Sequence, residues 1–241
     1  GYCCLILNTG TDPQEQAHYI QLLSQRKVDA AIFIGSIYQN DAIRQAVQTY
    51  LASTPIVLFN GYLDAPNLYG IIADEEGGVR SCVKLLAEKG RRHLGFIVNQ
   101  DTPSNLLKQS GFRLGMAMYC SDQPLCMEKL REGEENSVAA TRRLLKANPD
   151  IDGIIYSEDL LALAGLQAML EDGIRVPQQI AVVGINNSLY AQTSYPPMTS
   201  LDNMLYDLSM LAVHSLLQLL RGERVNQKMI LGTQIVERKT T

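Results

Sequence analysis

The feature that most constrains this chain is a recurrence. Short apolar runs end on a polar or small residue, and each is followed by a segment of helical periodicity. The run Ile180-Ala181-Val182-Val183-Gly184-Ile185 stops at Asn186-Asn187-Ser188. An apolar run flanked by helical patterns reads as a strand buried on both faces of a parallel sheet. Such sheets bind ligands just past the carboxyl ends of their strands, where Asn186 and Asn187 stand. The same grammar predicts strands at 28–34 before Gly35-Ser36, 55–59 before Asn60, 69–73 before Asp74, 93–98 before Asn99, and 153–156 before Ser157-Glu158-Asp159. Residues 2–8 read as a further strand, and 234–238 as a closing one.

The intervening segments carry helix signals. Asp12-Pro13 is an N-cap followed by a first-turn proline, and Ala17, Ile20 and Leu23 then share one face. A second helix starts at Asp41, a third runs over 75–88 to Gly90, a fourth over 103–119 and a fifth over 137–146. The stretch 120–135 reads as irregular, with a short strand near Leu125. Another helix follows Asp159, and a long one spans 203–220. Regular strand–helix alternation with short turns means α/β with parallel sheets. Two such series meeting near Gly90 predict two lobes, with the last helix and strand returning to complete them. A 46% hydrophobic chain of 241 residues can fill both cores.

Several chemistries are excluded or disfavoured. There is no Gly-x-Gly-x-x-Gly after a strand, no P-loop, no Gly-x-Ser-x-Gly and no His-Glu-x-x-His. His18, His93 and His214 lie far apart and inside predicted elements. No nucleophile–base pair emerges from spacing, so no enzyme, catalytic residue, cofactor or metal is expected. A formal net charge of −4 argues against direct nucleic-acid binding by this chain. No apolar run has the length of a membrane span. The five cysteines contain no Cys-x-x-Cys, which fits free thiols in a reducing cytoplasm. What recurs instead is polar residues at strand ends: Ser36, Asn60, Asp74, Asn99, Glu158, Asp159 and Asn186. Singly each reads as a helix cap or turn former. Together they converge on one edge of each sheet, as in a binding cleft.

Order and spacing of several segments carry a family resemblance. They include Val28-Asp29-Ala30-Ala31-Ile32 before Gly35-Ser36, Pro55-Ile56-Val57-Leu58-Phe59-Asn60, and Leu86 through Ile97 with Glu88-Lys89-Gly90-Arg91-Arg92-His93 at its centre. Gly111-Phe112, Gly173-Ile174-Arg175-Val176-Pro177, Val182-Val183-Gly184, Pro197-Met198-Thr199-Ser200 and Val236-Glu237-Arg238-Lys239-Thr240 follow. The chain resembles the ligand-binding core of the lactose/galactose repressor family of bacterial transcription regulators. The resemblance implies two Rossmann-like, parallel-sheet lobes of the type I periplasmic-binding-protein kind, closing on a small polar effector, sugar or sugar-like. The lobes would comprise 1–90 plus 203–229 and 91–202 plus 230–241. The family acts as homodimers, with a DNA-binding headpiece that this chain does not include. The family's first strand and helix, which would precede Gly1-Tyr2, are also missing. A secreted solute-binding protein of a transporter is the alternative.

The family's ligand contacts carry over in part. Lys108 stands where arginine is usual, Glu158-Asp159 where Asn-Asp is usual, Asn186 where aspartate is usual, and Leu205 where an aromatic is often found. The expected ligand-binding residues are Ser36, Asn60, Asp74, Lys108, Glu158, Asp159, Asn186 and Leu205. Lys108 and Glu158 are expected to neutralise each other when no ligand is bound. The family places the helix with Leu160, Leu163, Ala164 and Gln167, together with Ser194-Tyr195, against a partner subunit.

Overall fold

The structure, a computed structural model, describes residues 1–134 and 136–241. Its elements run α1 (Pro13–Gln25), β1 (Ala31–Ile34), a 3-10 turn (Ser36–Tyr38), α2 (Asp41–Tyr50), β2 (Ile56–Phe59), β3 (Leu68–Ala73), α3 (Glu75–Glu88), β4 (Leu94–Val98), α4 (Pro103–Tyr119), β5 (Cys126–Lys129) and α5 (Val138–Ala147). They continue with β6 (Gly153–Tyr156), α6 (Asp159–Glu171), β7 (Ala181–Ile185), α7 (Leu189–Thr193), β8 (Thr199–Asp202), α8 (Leu205–Leu220), β9 (Lys228–Leu231) and β10 (Gln234–Val236). The α/β alternation is as expected, and the short strand anticipated near Leu125 is β5. Glu135, at the end of the irregular stretch, lies outside the described residues. Helix α7 and strands β8 and β9 were not read from the residue pattern, although β8 and β9 lie near Asp202 and Met229, where the family resemblance implies crossing strands. The caps work as their chemistry dictates: Asp12 accepts from the backbone N–H groups of Gln14 and Glu15 at 2.8 and 3.0 Å.

The chain divides into two compact units, 1–72 with 206–231 and 73–205 with 232–241. The boundary expected at Gly90 therefore lies at Ile72–Ala73 instead. The reason is packing. A Cβ on Gly111 of α4 would sit 2.3 Å from the Glu76 carbonyl oxygen, and one on Gly115 would sit 2.7 Å from Val83. Helix α3 is thus pressed on α4 and belongs to the second unit. The return crossings shift by a few residues likewise.

In the first unit the sheet order is β1-β2-β3-β9, with β1–β2 and β2–β3 parallel. Its core holds Ile20, Phe33, Ile43, Val47, Ile56, Leu58 and Leu68. The strand expected at 2–8 does not form; Ile6 is 91% exposed. A strand is made by its neighbour's backbone groups, and β2 is the only strand paired with β1 among the described residues.

In the second unit the order is β10-β8-β7-β6-β4-β5, all parallel except β10 on β8. Period-2 alternation sends its side chains into two cores. Ile97, Ile154, Tyr156 and Val182 pack under α5 and α6, whereas Phe96, Val98, Ile155, Val183 and Ile185 pack under α3 and α4. Strand β4 has β5 on one side and β6 on the other. The chain reverses its direction of travel across the sheet there, and the carboxyl ends of those strands frame a crevice.

Candidate ligand-binding site

The site is built where β4, β6, β7 and β8 end. Helix α4 begins just past β4 and carries Asn105 and Lys108 at i, i+3, hence on one face. The close approach at Gly111 draws that face onto the first turn of α3. There Glu75, 1% exposed, lies 3.5 Å from Lys108 Nζ. The Lys108 ammonium also donates to Asn105 Oδ1 at 3.3 Å and to the Ser157 carbonyl at 3.2 Å. Ser104 donates to Glu75 Oε1 at 2.7 Å, and Asn203, just past β8, donates to the same oxygen at 3.3 Å. Ion pairs this deeply buried survive only when the remaining lone pairs and protons are satisfied, and here hydroxyl and amide groups help to do so.

Two chains of side chains extend from this pair. Asn105 donates to Asn99 Oδ1 at 2.8 Å, and Asn99 donates to Glu158 Oε1 at 2.7 Å. On the other side, Asn203 donates to Asn186 Oδ1 at 3.1 Å. Asn186 and Asn187 have φ of 106° and 49°, conformations that asparagine tolerates better than most residues. Behind them Asp159 braces the strand ends. It accepts from the Ser188 backbone and hydroxyl at 2.7 and 2.8 Å and from the Ser200 hydroxyl at 2.6 Å. Burial pushes its carboxyl above the usual aspartate range, against the pull of those hydrogen bonds and of Arg238. Gly184 makes room for it, since a Cβ there would lie 2.2 Å from Asp159 Oδ1.

Of the residues singled out in the sequence, Lys108, Glu158, Asp159 and Asn186 are brought together. The expected Lys108–Glu158 pair is not formed: Lys108 pairs with Glu75, and Glu158 is held by Asn99. Asp74 caps α3, accepting from the Gly77 N–H at 3.0 Å. Leu205 opens α8 and is 38% exposed. Ser36 and Asn60 belong to the first unit, at the ends of β1 and β2; Asn60 has φ of 54°. The sequence reading missed Glu75, Ser104, Asn105 and Asn203. Asn105 was legible in principle, three residues before Lys108 on one helix. Glu75 was hidden among first-turn acids, which ordinarily serve the helix dipole.

The face of α6 bearing Leu160, Leu163, Ala164 and Gln167 points outward. Leu160 is 50% exposed, whereas Leu161, Ala162, Leu166 and Met169 are buried. Tyr195 is 89% exposed, and the Ser194 hydroxyl is turned inward onto the Ala191 and Pro196 carbonyls.

The family model for the periplasmic binding protein-like domain matches residues 83–241. The chain belongs to that family. An HTH-type transcriptional regulator of Lachnoclostridium phytofermentans is 30% identical over the whole of this chain and 73% of its own length. Among solved structures, a complex of the transcriptional regulator CelR with cellobiose is 25% identical with a TM-score of 0.80, over 95% of this chain and 71% of that one. A lac repressor dimer bound to operator and an anti-inducer shares the fold, with a TM-score of 0.82 at 23% identity, over 95% of this chain and 79% of that one. The chain is a periplasmic-binding-protein-like domain of the kind carried by HTH-type transcriptional regulators. These relatives do not favour the secreted solute-binding alternative. No helix among the described residues is long and apolar enough to cross a membrane.

Proposed function

We propose that this core binds a small sugar or sugar-like effector at the strand ends of its second unit and thereby controls DNA binding by a headpiece outside this chain. The observation that carries the reading is the buried polar cluster joining Lys108, Glu75, Asn105, Asn203 and Asn186 at the point where the sheet's strand order reverses. Structural caps alone would not require four adjacent strand ends to share one hydrogen-bonded network. Support comes from a relative whose complex holds cellobiose. Leu205, which opens α8, is proposed to add to the ligand contacts. The chain acts as a ligand-driven switch rather than an enzyme, and it works in the cytoplasm as a homodimer.

Calorimetric titration with cellobiose and a set of mono- and disaccharides tests the binding reading. Saturable binding with one site per chain is expected, and it should weaken at least tenfold, about 1.4 kcal/mol, in Asn203→Ala. Absence of binding to every compound would contradict it. The outward row on α6 supports the dimer. Leu163→Asp should shift sedimentation towards the monomer, because it sets a charge in that contact; a monomeric parent would refute the assignment.

A further inference from the structure

We infer that the effector is a neutral polyhydroxylated molecule and that Glu75 makes the site reject anions such as sugar acids and sugar phosphates. This rests on the effector reading above and assigns its charge class. An ammonium has three N–H donors. Lys108 donates to Asn105 Oδ1 and the Ser157 carbonyl at 3.3 and 3.2 Å, and its ammonium is ion-paired with Glu75 Oε1 at 3.5 Å. The cation that could have gripped an anionic ligand is therefore spent internally.

The remaining charges point the same way. Asp159 is taken up by Ser188 and Ser200, and the Arg238 guanidinium donates to Asn187 Oδ1 at 2.6 Å. Glu158, held by the neutral amide of Asn99, is left as surplus negative charge. Among the described residues of this cluster, Asn203 Oδ1 is a buried acceptor without a hydrogen-bond partner, and the buried Ser157 hydroxyl, which can accept or donate, is likewise unbonded. Hydroxyl groups of a neutral polyol can donate to these oxygens. A carboxylate or phosphate oxygen cannot donate to Asn203 Oδ1, and it would bring negative charge towards the half-buried carboxylate of Glu158.

The test compares neutral compounds with matched anions by calorimetry: cellobiose with cellobionate, galactose with galacturonate, and glucose with glucose 6-phosphate. The parent should bind at least one neutral member, and its anionic partner about tenfold or more weakly. In Glu75→Gln, which keeps an acceptor beside Lys108 but removes the charge, that preference should shrink or invert. Circular dichroism establishes that the variant is folded. Should it not fold, Glu158→Gln offers the same readout from the exposed side of the cluster, again as a smaller penalty for the anion. Equal or tighter binding of an anion by the parent would overturn the inference. So would a folded Glu75→Gln with an unchanged neutral-to-anion ratio. Silence from every compound would instead sink the effector reading itself and this inference with it.

Discussion

The two units are built from the same strand–helix grammar, yet their sheets differ in how completely they are covered. In the second unit β4, β6 and β7 are buried along their whole length, each between two neighbours and two helical layers. In the first, β1 alternates buried and accessible positions, Ile34 is 69% exposed, and residues 1–10 form no strand at all. The lesson is that an apolar run specifies a strand only in the company of its neighbours. Helix α1 forms from local signals, its aspartate cap and its periodicity. The run before it has no such local support, because a strand's hydrogen bonds lie on another segment.

That contrast can be broken or sharpened by substitution. The largest effect is expected in the doubly covered sheet. Phe96, fully buried and stacked on Phe112 at 5.3 Å between ring centroids, should cost about 3–5 kcal/mol when replaced by alanine. Ile34→Ala, on the accessible edge, should cost less than about 0.5 kcal/mol in denaturant melts. Similar costs for the two would mean that the β1 edge is covered after all.

Next in size is the ion pair. Lys108→Ala removes the cation 3.5 Å from the buried Glu75 carboxylate and should lose about 3 kcal/mol. The double variant Lys108→Met with Glu75→Gln should recover most of it. If the single and double variants melt alike, the pair does not hold α3 on α4.

A smaller effect separates capping from binding. Asp74→Ala should cost about 1 kcal/mol, as loss of an N-cap does, and leave ligand affinity where it was. A loss of affinity with unchanged stability would move Asp74 from the cap into the ligand contacts. The smallest effect is on reactivity. Cys3 and Cys4 are exposed, whereas Cys82, Cys120 and Cys126 are buried. Burial pushes the Cys82 thiol up to about 12 and raises the other two buried thiols. A thiol reagent at neutral pH should therefore titrate Cys3 and Cys4 quickly and the buried thiols only on unfolding.

Fold class and the strand-end positions were legible because periodicity and turn chemistry are local. The partners of those positions were not. That Lys108 meets Glu75 depends on how deeply α4 sinks onto α3, which the spacing around Gly111 leaves open. The Asn203–Asn186 contact joins two strand ends whose adjacency is set by sheet order. The lobe boundary was misplaced for a related reason: Gly90 ends α3 as a helix stop, while the packing of that helix decides which unit it joins.

The central claim is that a small molecule is held by the strand-end cluster of the second unit. Hydrogen–deuterium exchange with and without a saturating saccharide identified by calorimetry tests it most directly. Protection should rise in peptides spanning 99–109, 155–159 and 184–188, and around Asn203. The open cavity of about 470 Å³ lined by Arg175, Tyr195 and Lys239 should show no change. Protection confined to that cavity, with the strand-end peptides unaltered, would contradict the account.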